Sequence, residues 1–171
     1  GADVVPLRFV PYGEALRVYV DDLRRMVARK ARASDRPRIT FEGLPALIAA
    51  VRDFQASAAQ LDAALATFSG RDGIEAARLR AVNDALTRVE RAFLAPEGLP
   101  GRTWFKHTIY APGLTTGYAC WPLPGIHQAI IEEDVKQLAT QLPIVIRQLR
   151  AAARALDAAT ALASAATPPA R

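Results

Sequence analysis

Only one cysteine, Cys120, stands in the 171 residues, and without a second thiol the chain cannot close a disulfide of its own. Histidine is almost as scarce. His107 and His127 are two, too few to furnish a typical zinc site by themselves. No apolar run approaches the roughly 20 residues that a membrane-spanning helix needs. The opening Gly1-Ala2-Asp3-Val4-Val5 lacks the basic residues that begin a signal peptide, and Gly in place of Met says nothing about targeting. Proline and glycine are thin over most of the chain and thicken between Pro96 and Gly125, which leaves the flanks free for long helices.

What is present is an Ala- and Arg-rich chain that is 51% hydrophobic. A chain of this length buries roughly two thirds of its unfolded surface, enough for one self-supporting core. The net charge is +5, and Arg24, Arg25, Arg29, Lys30, Arg32, Arg36 and Arg38 crowd one region. Such a cluster invites a polyanion reading. Asp21, Asp22 and Asp35 interrupt it, however, so a solvated helix face is the better expectation.

Helical periodicity begins at Pro11, with Leu16, Tyr19, Leu23 and Met26 at steps of three and four as far as Ala33. Ser34, Asp35 and Pro37 end that helix, and Thr40 offers an N-cap oxygen to a second, with Glu42 in its first turn and Pro45 near its start. Leu44, Leu47, Val51, Phe54, Ala58, Leu61, Leu65 and Phe68 then form an unbroken heptad seam that stops at Ser69-Gly70. A third helix runs from about Ile74 to Phe93 on Leu79, Val82, Leu86, Val89 and Phe93, with the second as its expected partner. The last carries Leu142, Val145, Leu149, Ala152 and Leu156, with Pro143 expected in its first turn, and fades into Thr167-Pro168-Pro169. The predicted fold is all-α: one domain over residues 1–171, a left-handed up-and-down four-helix bundle.

About thirty residues, Ala95 to Pro124, separate the third and fourth of these helices, against about 2 to 8 in ordinary bundle connections. They hold Trp104, Phe105, Tyr110, Tyr118 and Trp121, and aromatics concentrate where a chain meets a partner or ligand. Thr108-Ile109-Tyr110 and Tyr118-Ala119-Cys120 read as two short strands of a small β-hairpin around the turn-rich residues 112–117. A single short helix follows from Pro124-Gly125 toward Glu132, Glu133 and Asp134. His107 and His127 read as hydrogen-bonded structural side chains, Cys120 as a small apolar filler, and the Asp21-Asp22 and Glu132-Glu133-Asp134 clusters as solvated. No nucleophile–base pair stands at useful spacing.

Asn83 to Phe93, Gly98-Leu99-Pro100, His107-Thr108-Ile109-Tyr110-Ala111-Pro112, Tyr118-Ala119 and Pro124-Gly125-Ile126 resemble, in order and spacing, the C-terminal region of glutamate carboxypeptidase II and transferrin receptor-like zinc peptidases. Val4-Val5-Pro6-Leu7-Arg8-Phe9 and the first helix extend the resemblance over nearly the whole chain. It implies a helical dimerisation domain of a homodimer, joined in the parent protein to a peptidase domain that holds two zinc ions. This chain would be non-catalytic, with no cofactor of its own. The resemblance also implies an extracytoplasmic or secreted setting.

In that family a hairpin after the Tyr-Ala-Pro motif lines the pocket for the substrate's C-terminal residue. Here it would be Tyr110 to Trp121, with Tyr118, Gly117 and Tyr110 as substrate-binding residues. Glutamate-preferring members present a Lys-Tyr pair, where this chain has Gly117-Tyr118. Tyr118 keeps a hydroxyl for a substrate carboxylate. Glycine removes a charge-assisted bond of roughly 1.5 to 3 kcal/mol, which implies a less acidic C-terminal residue in the parent's substrate. The competing reading is a free-standing basic helical module that binds nucleic acid or another polyanion; on the family reading no nucleic acid is expected.

Overall fold

The computed structural model describes residues 4–33, 39–70, 74–114, 117 and 119–165. Among them lie five helices and one two-stranded antiparallel sheet: α1 (Val10–Arg32), α2 (Leu44–Ser69), α3 (Ala76–Arg91), β1 (Tyr110–Pro112), β2 (Cys120–Pro122), α4 (Pro124–Glu132) and α5 (Val135–Ser164). The chain is mostly helical, as its periodicities predict. The breaker residues Ser34, Asp35 and Pro37 and the closing Thr167-Pro168-Pro169 lie outside the described residues.

The α2 seam holds without exception in its interior: Leu47, Val51, Phe54, Ala58, Leu61, Leu65 and Phe68 are all buried, and Leu44 is half-buried at the first turn. Each buried Leu or Phe contributes roughly 1.5 to 3 kcal/mol. The start of α2 differs from expectation. Its N-cap is Gly43, not Thr40, and the Thr40 hydroxyl instead reaches Glu42 Oε1 at 3.4 Å. A Cβ on residue 43 would run into the Leu142 side chain, so contact with α5, rather than a capping oxygen, fixes where α2 begins.

The α5 helix is the axle of the fold, with α2, α3 and α4 all packed on it and α1 packed on α2. The third helix therefore takes the last helix as its main partner, not the second. Leu79, Val82, Ala85, Leu86 and Val89 make the buried face of α3, and an apolar stripe carries no label for the stripe it meets. The beginning of α5 also departs from expectation. The helix starts at Val135, where Asp134 Oδ1 accepts from the Gln137 N–H at 2.9 Å, an N-cap of ordinary chemistry. Pro143 consequently sits inside the helix rather than in its first turn. Its ring is exposed, and so is Ala139, whose carbonyl is the one that a proline at this position leaves without a donor.

The chain between α3 and α4 is built in two tiers. Leu94 and His107 pair across an isolated bridge, Ala95 N–H donates to the Lys106 carbonyl at 2.8 Å, and Leu99 and Arg102 close a second bridge at the tip. Gly98 has φ +74°, and a Cβ there would strike the Thr103 backbone, so this turn requires glycine. Next comes the β1–β2 hairpin in the register Tyr110↔Pro122, Ala111↔Trp121 and Pro112↔Cys120. Both strands lie two residues C-terminal to the expected ones. Thr108 anchors the root: its buried hydroxyl reaches the Phe93 carbonyl at 3.0 Å and Gln148 Oε1 of α5 at 2.5 Å. The short helix expected after Pro124-Gly125 is α4.

Candidate functional site

The hairpin root is fixed by an aromatic cluster drawn from distant parts of the chain. Tyr110 opens β1 and sets its ring edge-on to Tyr12 and Tyr19 of α1, with centroids 6.1 and 5.7 Å apart. Its hydroxyl meets that of Tyr19 at 3.2 Å. Tyr12 stacks on Phe93 at 5.6 Å. Burial, first of all, pushes the Tyr12 and Tyr110 hydroxyls well above the usual tyrosine range; for Tyr110 the bond with Tyr19 adds to it. The Tyr12 oxygen is buried without a hydrogen-bond partner.

His107 ties this root to α3. Its Nε2 lies 3.1 Å from Glu90 Oε1, and its Nδ1 accepts from the Ile109 and Tyr110 N–H groups at 3.3 and 3.2 Å. Only a ring with a bare Nδ1 and a protonated Nε2 satisfies all three contacts. His127 of α4 stacks on Trp121 at 4.6 Å and 10°. It faces a groove of about 230 Å³ lined also by Tyr19, Asp22, Leu23, Met26, Arg29 and Pro122. Burial lowers the His127 pKa, against smaller opposing effects of a Pro122 backbone hydrogen bond and the Asp22 charge. His107 is thus held by hydrogen bonds and His127 by a ring stack.

The far end of the hairpin turns outward. Leu114 is 44% exposed, and Gly117, Ala119 and Cys120 are exposed as well. Cys120 is therefore a surface thiol, not an apolar filler: as first residue of β2 it stands at the exposed end of the strand. Gly117 has φ +61° with open space where a Cβ would stand. Of the expected substrate-binding residues, the structure thus places Tyr110 at the anchored root and Gly117 at the free tip. Tyr118 lies outside the described residues.

Arg102 carried no sequence signal and proves central to this region. It is buried, donates from Nη1 to the Pro112 carbonyl of β1, and covers the Phe105 ring at 5.7 Å. Tyr12 and Tyr19 were equally unmarked as site residues, although their spacing of seven puts them on one face of α1.

The charged clusters are partly committed. Asp21 pairs with Arg17 at 3.2 Å, Asp22 with Arg25 at 2.5 Å and Glu133 with Lys30 at 3.0 Å, and Asp134 caps α5. The Glu132-Glu133-Asp134 run is thus structural in part, not merely solvated. Arg36 and Arg38 of the basic cluster lie outside the described residues. Among the described residues no three of His, Cys, Asp and Glu gather as a metal would require. No helix among them is long and apolar enough to cross a membrane.

Comparison with known proteins bears on the same region. The family model of the transferrin receptor-like dimerisation domain matches residues 43–157. A probable glutamate carboxypeptidase of Arabidopsis thaliana is 30% identical over 132 residues, 74% of this chain and 17% of that protein. The aminopeptidase NAALADL1 of Rattus norvegicus is 34% identical over 116 residues, 67% of this chain and 15% of its own length. An inactive zinc metalloprotease of Schizosaccharomyces pombe is 41% identical over 58 residues, 34% of this chain and 7% of the relative. The chain thus spans a fifth or less of the length of these relatives. Nothing in these comparisons supports the polyanion reading.

Proposed function

This chain belongs to the transferrin receptor-like dimerisation domain family, and from that premise we propose that it pairs with a second copy and holds out the β1–β2 hairpin to complete the substrate pocket of a zinc peptidase body in a longer protein. One observation carries the pocket reading. The hairpin is clamped at Tyr110 and Thr108 while the described residues of its far end, Leu114, Gly117, Ala119 and Cys120, are exposed. An arm that only filled the core would bury its tip. Two zinc ions would belong to the peptidase body, whose name-bearing relatives are a carboxypeptidase and an aminopeptidase.

In this reading Tyr118 offers its hydroxyl to a substrate carboxylate, Gly117 leaves room beside it, and Tyr110 acts by positioning the arm. The finer architecture is part of the same proposal: α1, α2, α3 and α5 form a left-handed up-and-down four-helix bundle, with α4 and the hairpin as additions between the last two. Self-association is tested by light scattering of the chain over a concentration series. Growth of the molar mass toward twice the 18.5 kDa of one chain is expected, and a mass that stays at one chain throughout counts against the proposal.

A further inference from the structure

Arg102 is 4% exposed, yet no carboxylate touches it among the described residues. Its Nε is shut away with no hydrogen-bond partner, and burial lowers its pKa with no opposing charge to restore it. Other basic side chains behave differently: Arg17, Arg25 and Lys30 each hold a carboxylate. The two side-chain contacts that Arg102 does make, a carbonyl and an aromatic ring, both favour the cation, but neither is an anion. Covering a charge without an anion is costly, and a guanidinium presents five donors in a fork that matches a carboxylate.

Position gives this charge a meaning. Nη1 bonds to the Pro112 carbonyl at the end of β1. The next residue, Gly113, accepts from the Gly117 N–H at 3.3 Å, so the guanidinium lies at the base of the arm whose tip carries Gly117. Leu114 packs beside Gly101, and the exposed Leu114 and Trp104 supply an apolar rim. We propose that Arg102 receives a carboxylate at the base of the hairpin, replacing in another place the positive charge that glycine at 117 cannot provide. The proposal rests on the pocket reading for why a carboxylate arrives there. Its source is either a small ligand, such as a peptide C-terminus, or an Asp or Glu side chain of a second copy.

The test is NMR of the ¹⁵N-labelled chain, following the Arg102 Nε–H and the amides of Gly101, Gly113 and Gly117. Sodium acetate and sodium glutarate are titrated against sodium chloride at matched ionic strength. Saturable shifts of the Arg102 Nε–H and of the Gly101 and Gly113 amides with the carboxylates alone are expected, and in the variants the glycine shifts should be lost in Arg102→Gln and weakly retained in Arg102→Lys. A dilution series without any probe covers the second source: movement of the Arg102 Nε–H and of the Gly101 and Gly113 amides with protein concentration, the glycine movement abolished by Arg102→Gln, assigns the carboxylate to a second copy. An Arg102 signal indifferent to carboxylates and to dilution overturns the proposal, and this readout uses only the wild-type chain, whatever the variants do to folding. If Gly117 responds to glutarate while Arg102 does not, the pocket reading stands and the role of Arg102 falls. If neither responds, the role of Arg102 falls.

Discussion

The hydroxyls of Tyr19 and Tyr110 meet at 3.2 Å across 91 positions of sequence, and with this contact the first helix holds the root of the hairpin. Removing the Tyr110 hydroxyl as Tyr110→Phe is expected to cost about 1 kcal/mol, the net value of an ordinary hydrogen bond. The larger loss comes with Tyr110→Ala, about 2 to 3 kcal/mol, because the ring also packs on Tyr12, Tyr19 and His107. Urea denaturation followed by circular dichroism measures both. Equal losses in the two variants would mean that the ring contributes nothing and that the root is held elsewhere.

The same burial makes an alkaline prediction. Tyr12 and Tyr110 have folded pKa values raised above the ordinary value near 10, so the neutral hydroxyls are favoured in the folded state. Their contribution is fully present below pH 10 or so and is lost above it, as the unfolded chain ionises first. Melting temperatures recorded from pH 8 to 11 should fall in the upper part of the range. The double variant Tyr12→Phe with Tyr110→Phe should flatten that fall; an unchanged slope would place the alkaline sensitivity in other groups.

Much of the helical framework was legible because burial repeats with the turn of the helix. Leu47 through Phe68 could be read as one seam, and each of those positions is buried. The pairing of α3 with α5 was not legible, since Leu79, Val82 and Leu86 would suit any facing stripe. The hairpin was visible through its turn residues but misplaced by two, because Tyr110-Ala111-Pro112 and Cys120-Trp121-Pro122 contain prolines that read as loop. Here Pro112 and Pro122 tolerate their places because a two-stranded ribbon has edges on both sides. The root cluster was invisible for a different reason: Tyr12, Tyr19, Phe93 and Tyr110 become neighbours only when α1 closes over the end of α3. Arg102 looked like one surface arginine among many.

Pro143 gives a stability prediction of opposite sign. It lies in the interior of α5 with its ring exposed, so replacement removes no buried packing and supplies the missing N–H. Pro143→Ala should raise the unfolding free energy by about 1 to 3 kcal/mol, seen as a higher urea midpoint at unchanged m-value. A lower midpoint would show that a proline-induced bend in α5 is itself needed where Leu142 packs against the start of α2.

His127 supplies an acid-side prediction with an optical signature. Burial depresses its folded pKa below the ordinary value near 6.5, so the folded state favours the neutral ring that stacks on Trp121. Its contribution is present above about pH 6.5 and is lost as pH falls through the lower folded value, where protonation becomes easier in the unfolded chain. In a Trp104→Phe background, which removes the exposed indole, fluorescence reports Trp121 alone. Lowering the pH from 7.5 to 4.5 should change that emission in a single step below 6.5 and lower the melting temperature in parallel. His127→Phe, which keeps a ring against the indole and cannot titrate, should abolish the step and reduce the acid loss of stability. A step that persists in His127→Phe would mean that a group other than the imidazole is being titrated.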